Sequence, residues 1–148
     1  PEINDKFAHK LEFLARMEKT YAAYDPQSPL IVVGDLNIAP HENDVWSHKQ
    51  LLKVVSHTPV ETDAMARIIE AGQFSDLARR EHAPDEKLYS WWSYRAHDWS
   101  AANKGRRLDH VWVTPELAPT LLNAEVARDV RGWTKPSDHA PVIVELDV

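Results

Sequence analysis

The sequence predicts an α/β protein from three features: an amphipathic helical stretch near its start, a short all-apolar β-prone run after it, and further β-prone segments set between turn residues. From Asp5 to Tyr24 the residues Phe7, Leu11, Leu14 and Tyr21 recur at helical spacing, with Lys6, Lys10, Glu12, Glu18 and Lys19 on the other side. Asp25-Pro26 and Pro29 end this helix, and Leu30-Ile31-Val32-Val33 reads as a strand covered on both faces. The polar stretch from Asp35 to Asn43 is expected to be a loop. A second helix is expected over Glu61 to Ala71, introduced by Thr58-Pro59 and ended by Gly72. Short strands are expected at Ser90–Tyr94, Leu108–Val113, Glu125–Val130 and Val142–Val148, with Pro115 opening a short helix between two of them.

Composition bounds the function classes. At 148 residues and 43% apolar content the chain can bury one core but not two, and no repeat or linker divides it. The run Leu30–Val33 is far too short to cross a bilayer, so a membrane-spanning role is excluded on the sequence. With no cysteine there is no disulfide, thiolate metal site or cysteine nucleophile, which suits a reducing compartment and leads to an expected cytoplasmic location. Any metal would sit on oxygen or imidazole. The net charge of −6 rules out indiscriminate polyanion binding, so nucleic-acid contact would have to come from a local basic patch. The first residue, Pro1, with no initiator methionine or signal peptide after it, reads as a chain cut from something longer.

Four constellations carry candidate chemistry. Gly34-Asp35-Leu36-Asn37 follows the apolar strand, and strand alternation would send Asp35 and Asn37 to one face at the carboxyl end of a strand, where open α/β sheets hold ligands. An isolated Asp-x-Asn more often just ends a strand by bonding its own backbone. Leu108, His110 and Trp112 would share one face of a later strand, and Asp109, Val111 and Val113 the other. An acid on a valine-lined face is costly to bury unless partnered, and His139 of Ser137-Asp138-His139-Ala140-Pro141 is the candidate partner. Arg107, two residues before Asp109, is the competing one. Finally, Lys87 to Arg107 holds five cations (Lys87, Arg95, Lys104, Arg106, Arg107) against one acid, Asp98, interleaved with Tyr89, Trp91, Trp92, Tyr94 and Trp99. Such mixing suits a surface that follows phosphates and offers flat faces to bases or sugars. Trp92 and Tyr94 are expected in the core, and Trp91 is the better ligand candidate. No H-x-x-x-H, P-loop, G-x-S-x-G or G-x-G-x-x-G pattern is present, which removes zinc hydrolase, nucleotide triphosphatase, serine hydrolase and dinucleotide-binding readings.

Three elements together, G-D-L-N at 34–37, N-x-G-x-R-L-D at 103–109 and S-D-H-A-P at 137–141, are similar to one family. The chain resembles the carboxyl-terminal part of exonuclease III-type apurinic/apyrimidinic endonucleases, within the endonuclease/exonuclease/phosphatase superfamily. Val45-Trp46, Ser90-Trp91-Trp92-Ser93-Tyr94-Arg95 and Lys135-Pro136 extend the resemblance along the whole chain. It implies half of a four-layered α/β sandwich (DNase I-like), with residues 1–148 forming the C-terminal portion of a single domain whose N-terminal half is absent. It also implies Mg²⁺- or Mn²⁺-dependent hydrolysis of the phosphodiester 5′ to abasic sites, with 3′-to-5′ exonuclease activity, on double-stranded DNA. The resemblance makes Asp35, Asn37, Asp109 and His139 catalytic, with Asp35 or His139 as the general base. It assigns metal contact to Asp35, Asn37, Asp138 and His139, and DNA contact to Trp91, Arg95, Asn103, Lys104, Arg106 and Leu108.

Three further expectations follow from the resemblance. Part of the family's metal shell lies in the amino-terminal half, so the isolated chain is expected to be inactive. The absent half would leave a sheet face uncovered, inviting self-association. Arg106 stands where relatives often carry an apolar or small residue near the sugar pocket, and His110 where an apolar or aromatic residue is common, which bears on abasic-site preference rather than on phosphodiester chemistry. The rival readings are an inositol-phosphate or lipid phosphoesterase of the same superfamily, and a non-catalytic interaction domain.

Overall fold

The computed structural model describes residues 4–148. Helix α1 (Asp5–Ala22) starts where Asn4 Oδ1 accepts the Phe7 N–H at 2.9 Å, and it buries Phe7 and Leu14. Strand β1 (Ile31–Asp35) follows the Pro26–Pro29 turn. A short helix α2 (His48–Leu51) leads to α3 (Pro59–Gly72), which begins at a Thr58/Glu61 capping box. Gly72 does not end α3 by adopting a left-handed conformation: Gln73 does that, at φ 53°. Gly72 is required because a Cβ there would sit 2.2 Å from the Phe74 ring.

The rest is short: β2 (Ser75–Asp76), α4 (Leu77–Arg80), β3 (Trp91–Trp92), α5 (Trp99–Ala102), β4 (Gly105–Arg106), β5 (Asp109–Val113), β6 (Leu121–Val126) and β7 (Val142–Leu146). They form three antiparallel sheets, ordered β1-β5-β2, β3-β4 and β6-β7. Bridges Val45↔Arg106 and Trp91↔His139 link the loops to the β3-β4 pair. Helices α1 and α3 pack with β1 and β5 around Leu14, Ile38, Ala64, Met65, Ile68, Phe74 and Trp112. On the opposite face of β5, Val111 and Val113 meet Leu77 and the inner residues of β6 and β7. No helix among the described residues is long and apolar enough to cross a membrane.

Three expectations are corrected. Strand β1 is not covered on both faces, because Ile31 and Val33 are 47% and 67% exposed while only Val32 turns toward the helices. Tyr94 is not core: the strand ends at Trp92, a turn follows, and Tyr94 lies 60% exposed with its hydroxyl on the Pro136 carbonyl. The strand expected at Glu125–Val130 lies earlier, at Leu121–Val126, and Arg128–Gly132 is a 3₁₀ turn. Sequence alternation continues past Val126, but pairing with β7 stops at the Val126↔Val142 step.

His110 on β5 is buried and neutral. Its Nε2–H donates to the Ile38 carbonyl at 2.7 Å, which leaves Nδ1 to accept from Arg107 Nη1 at 3.3 Å. Burial, with the Arg107 charge beside it, pushes the imidazole down to about 4. The unfolded chain binds this proton near its ordinary 6.5 and the folded chain does not, so stability is full above that value and drains as pH falls toward 4. Between pH 7 and 4.5 this one group removes about 2 kcal/mol. Urea unfolding at the two pH values should therefore show wild type losing about that much more than His110→Gln, and equal losses would contradict the assignment.

Candidate active site

The β1/β5 register sets Asp35 directly opposite Asp109. Two carboxylates facing each other across an antiparallel pair repel, so the position is tenable only with opposite charge or strong donors nearby. Both are present. Ser90 Oγ donates to Asp109 Oδ2 at 2.7 Å while accepting the backbone N–H groups of Leu108 and Asp109 at 2.9 and 3.1 Å. His139 Nδ1 lies 2.8 Å from the same Asp109 oxygen, and its Nε2 lies 3.7 Å from Asp35 Oδ2. With the carboxylate as acceptor the proton belongs on Nδ1, so Asp109 fixes the ring and turns Nε2 toward Asp35.

Burial opposes charge on His139, but the hydrogen bond and charge of Asp109, followed by the charges of Asp35 and Asp138, outweigh it and hold the imidazole above its ordinary value. The loop carrying His139 is fixed on both sides: its N–H donates to Ser137 Oγ, the Trp92 N–H to the Asp138 carbonyl, and the Ala140 N–H to the Ser90 carbonyl. Asp35, Asp109 and His139 open on a cavity of about 630 Å³ walled by Val33, Val111 and Val142.

Arg107 does not pair with Asp109, as the competing reading held. Its guanidinium is fully buried and forked on Asp44, Nε to Oδ1 and Nη2 to Oδ2, both at 2.8 Å, with Nη1 2.8 Å from Asp76. Arg79 bonds Asp44 as well. Asp109 is thereby left to His139.

Asn37 departs from strand alternation. It is exposed, its backbone is left-handed at φ 50°, and its N–H donates to Asp35 Oδ1 at 2.8 Å. The turn that ends the strand is therefore present, and Asn37 is not among the residues lining the cavity of Asp35, Asp109 and His139. Ligand atoms of Asp35, Asp109 and His139 lie within 4.8 Å of one another, a hard-oxygen and imidazole set that fits a divalent cation. Asp138 stands outside this trio, and its Oδ2 accepts the Trp91 indole N–H at 2.9 Å.

A second cavity, of about 910 Å³, takes Trp91, Arg95, Lys104 and Arg106 into its lining together with Trp46 and Trp99. The other two expected DNA contacts lie elsewhere. Leu108 is 4% exposed and packs with Ala39, Val45 and Leu51. Asn103, left-handed at φ 45°, spends its Oδ1 on the Trp92 indole and Arg128. Sequence reasoning missed Ser90 and Asp44, whose roles depend on pairings between segments far apart in the chain.

A mixed α/β core with an acid–acid–imidazole cluster at a strand end defines a DNase I-like fold of the kind seen in exonucleases and AP endonucleases. The chain belongs to the Endonuclease/Exonuclease/phosphatase family, which matches residues 13–139. It is 32% identical to exodeoxyribonuclease III of Haemophilus influenzae over 94% of this chain and 56% of that protein. Among solved structures it is similar to an AP endonuclease from Archaeoglobus fulgidus, with TM-score 0.92 and 32% identity over 98% of this chain and 56% of that one. It is also similar to a 3′ phosphatase from Neisseria bound to a product DNA hairpin, with TM-score 0.89 and 28% identity over the same shares. The chain thus spans about half the length of these relatives.

In metal-free buffer the His139 imidazole should titrate above its ordinary value by NMR, and Asp109→Asn should lower the midpoint. A midpoint indifferent to Asp109 would show that the contact does not govern the ring.

Proposed function

We propose that this chain carries the phosphate-handling part of a DNA nuclease of the exodeoxyribonuclease III type. The observation that supports this most is the Asp109–His139 hydrogen bond beside Asp35, at the end of a strand and next to a basic, aromatic groove. Asp109 holds the His139 tautomer, and the raised pKa draws the ring toward its cationic form, suited to donating from Nε2 to a non-bridging phosphate oxygen. With Nδ1 held by Asp109 and Nε2 turned to the phosphate, orienting and deprotonating the attacking water is assigned to Asp35. Asn37, beside it, donates its carboxamide to the phosphate.

Asp35 and Asp109 would hold Mg²⁺ or Mn²⁺ with His139 alongside, and the bound ion would supply positive charge to the phosphate oxygens. Arg95 and Lys104 track the backbone of a duplex carrying an abasic site or a 3′ end, and Trp91 offers a flat face beside the reacting phosphate. This groove favours a nucleic acid over an inositol phosphate or lipid head group, which has no use for a row of indoles. In the full-length parent, residues outside this segment complete the site, and the segment alone cuts abasic duplex little or not at all.

Asp35→Asn in the parent should lower Mg²⁺-dependent cleavage of abasic or 3′-ended duplex by several orders of magnitude while leaving DNA affinity within a few-fold. Wild-type cleavage rates in that variant would remove Asp35 from the chemistry. A parent that binds DNA without ever cleaving it would favour the interaction-domain reading.

A further inference from the structure

From the geometry around Trp91 we infer that Arg106 is a specificity-determining residue that makes the groove accept an anionic group next to the reacting phosphate in preference to a neutral sugar. This inference rests on the nuclease reading above. Three backbone segments lie side by side, because Arg106 pairs with Trp91 across β4 and β3, and Trp91 pairs with His139 on its other edge. Neighbouring strands are about 4.8 Å apart, so Arg106 stands about 10 Å from His139, within the span of a phosphate and the group attached to it. Trp91 is the divider. Its indole N–H is tied to Asp138, and its ring carries the Arg106 guanidinium 5.2 Å from the centroid.

The guanidinium is held in place. Nη1 donates to Ser56 Oγ at 2.9 Å and to the Val55 carbonyl at 3.3 Å, and the aromatic face supports it from below. Its charge, however, is unanswered. No carboxylate pairs with it among the described residues, its Nε is buried without a partner, and burial alone acts on its pKa, downward. Among the described residues the only acid lining the groove is Asp98, whose Oδ1 caps α5 by accepting the Ala101 N–H, while Arg95 and Lys104 add two more cations. A pre-positioned, half-desolvated guanidinium gains most from a ligand carboxylate or phosphate that meets Nη2, Nη1 being bonded to Ser56 and Val55 and Nε buried. A neutral deoxyribose in the same place would cover the charge without answering it. The ligand class is therefore a DNA 3′ end whose terminal phosphodiester bears an acidic substituent, or a residue followed directly by a second phosphate.

The test compares duplexes ending in 3′-phosphoglycolate and in its uncharged 3′-phosphoglycolamide, by fluorescence anisotropy with metal chelated so that no bond is cut. Wild type should bind the carboxylate end about tenfold more tightly. Arg106→Gln should bring the ratio near one, Arg106→Lys should keep an intermediate ratio, and Lys19→Gln on the distant α1 should leave it at the wild-type value. Circular dichroism confirms that each variant is folded, and the Lys variant decides the matter if the Gln variant is not. Equal affinities in wild type, or a ratio that falls as much with Lys19→Gln, would overturn the assignment while leaving the nuclease reading intact. Absence of binding to any 3′-ended duplex would overturn both.

Discussion

Arg107 and Asp44 form the contact on which the site geometry depends, a two-pronged ion pair in which both side chains are fully buried. The Arg107 N–H also donates to the Asp44 carbonyl at 2.8 Å, and Asp76 takes the remaining guanidinium edge. Burial works against both charges, yet Asp76 and Asp44 raise the Arg107 pKa, and Arg107 with Arg79 keeps the Asp44 carboxyl below its usual range. This pair ties the loop leaving β1 to the residues just ahead of β5, so the segments presenting Asp35 and Asp109 cannot drift apart. Removing one partner of such a pair strands a buried charge, at a cost of about 3–5 kcal/mol. Burial, with the same cation beside it, keeps His110 neutral on the inner face of β5, three residues from Arg107 and one from Asp109.

On that frame the site is an electrostatic compromise. The register that pairs Asp35 with Asp109 concentrates negative charge, and His139 and Ser90 are the neighbours that relieve it. Left-handed backbone at Asn37 and Lys135 bounds the two loops that meet there. Non-glycine residues held in that conformation carry strain, which is common where a loop positions a functional group. Beside the cluster, Ile31 and Val33 lie exposed on β1.

Much of this was legible in the sequence. The carboxylate at the end of an apolar strand, the acid on a valine-lined face and the histidine before the last strand could each be picked out, because burying a charge demands a partner. The expectation that His139 answers Asp109 rested on that demand and matches the 2.8 Å contact. What was not legible depended on pairing across the chain. Arg107 lies two residues from Asp109 and was a plausible partner, but its true partners are 63 and 31 residues away. Ser90 gives no local signal that its hydroxyl will bridge two backbone amides and a carboxylate. Tyr94 continues the strand alternation in the sequence and leaves it in space, since a turn after Trp92 carries it to the surface.

If the chain handles phosphate as proposed, Asp35, Asp109 and His139 surround the place where a DNA phosphate is held. A crystal structure of the protein bound to a 3′-ended duplex tests it most directly. A phosphate oxygen is expected within hydrogen-bonding distance of His139 Nε2, with Asp109 still bonded to Nδ1 and the neighbouring sugar or end group lying toward Trp91. A duplex seated elsewhere, with the imidazole facing solvent and no phosphate near Asp35, would contradict it.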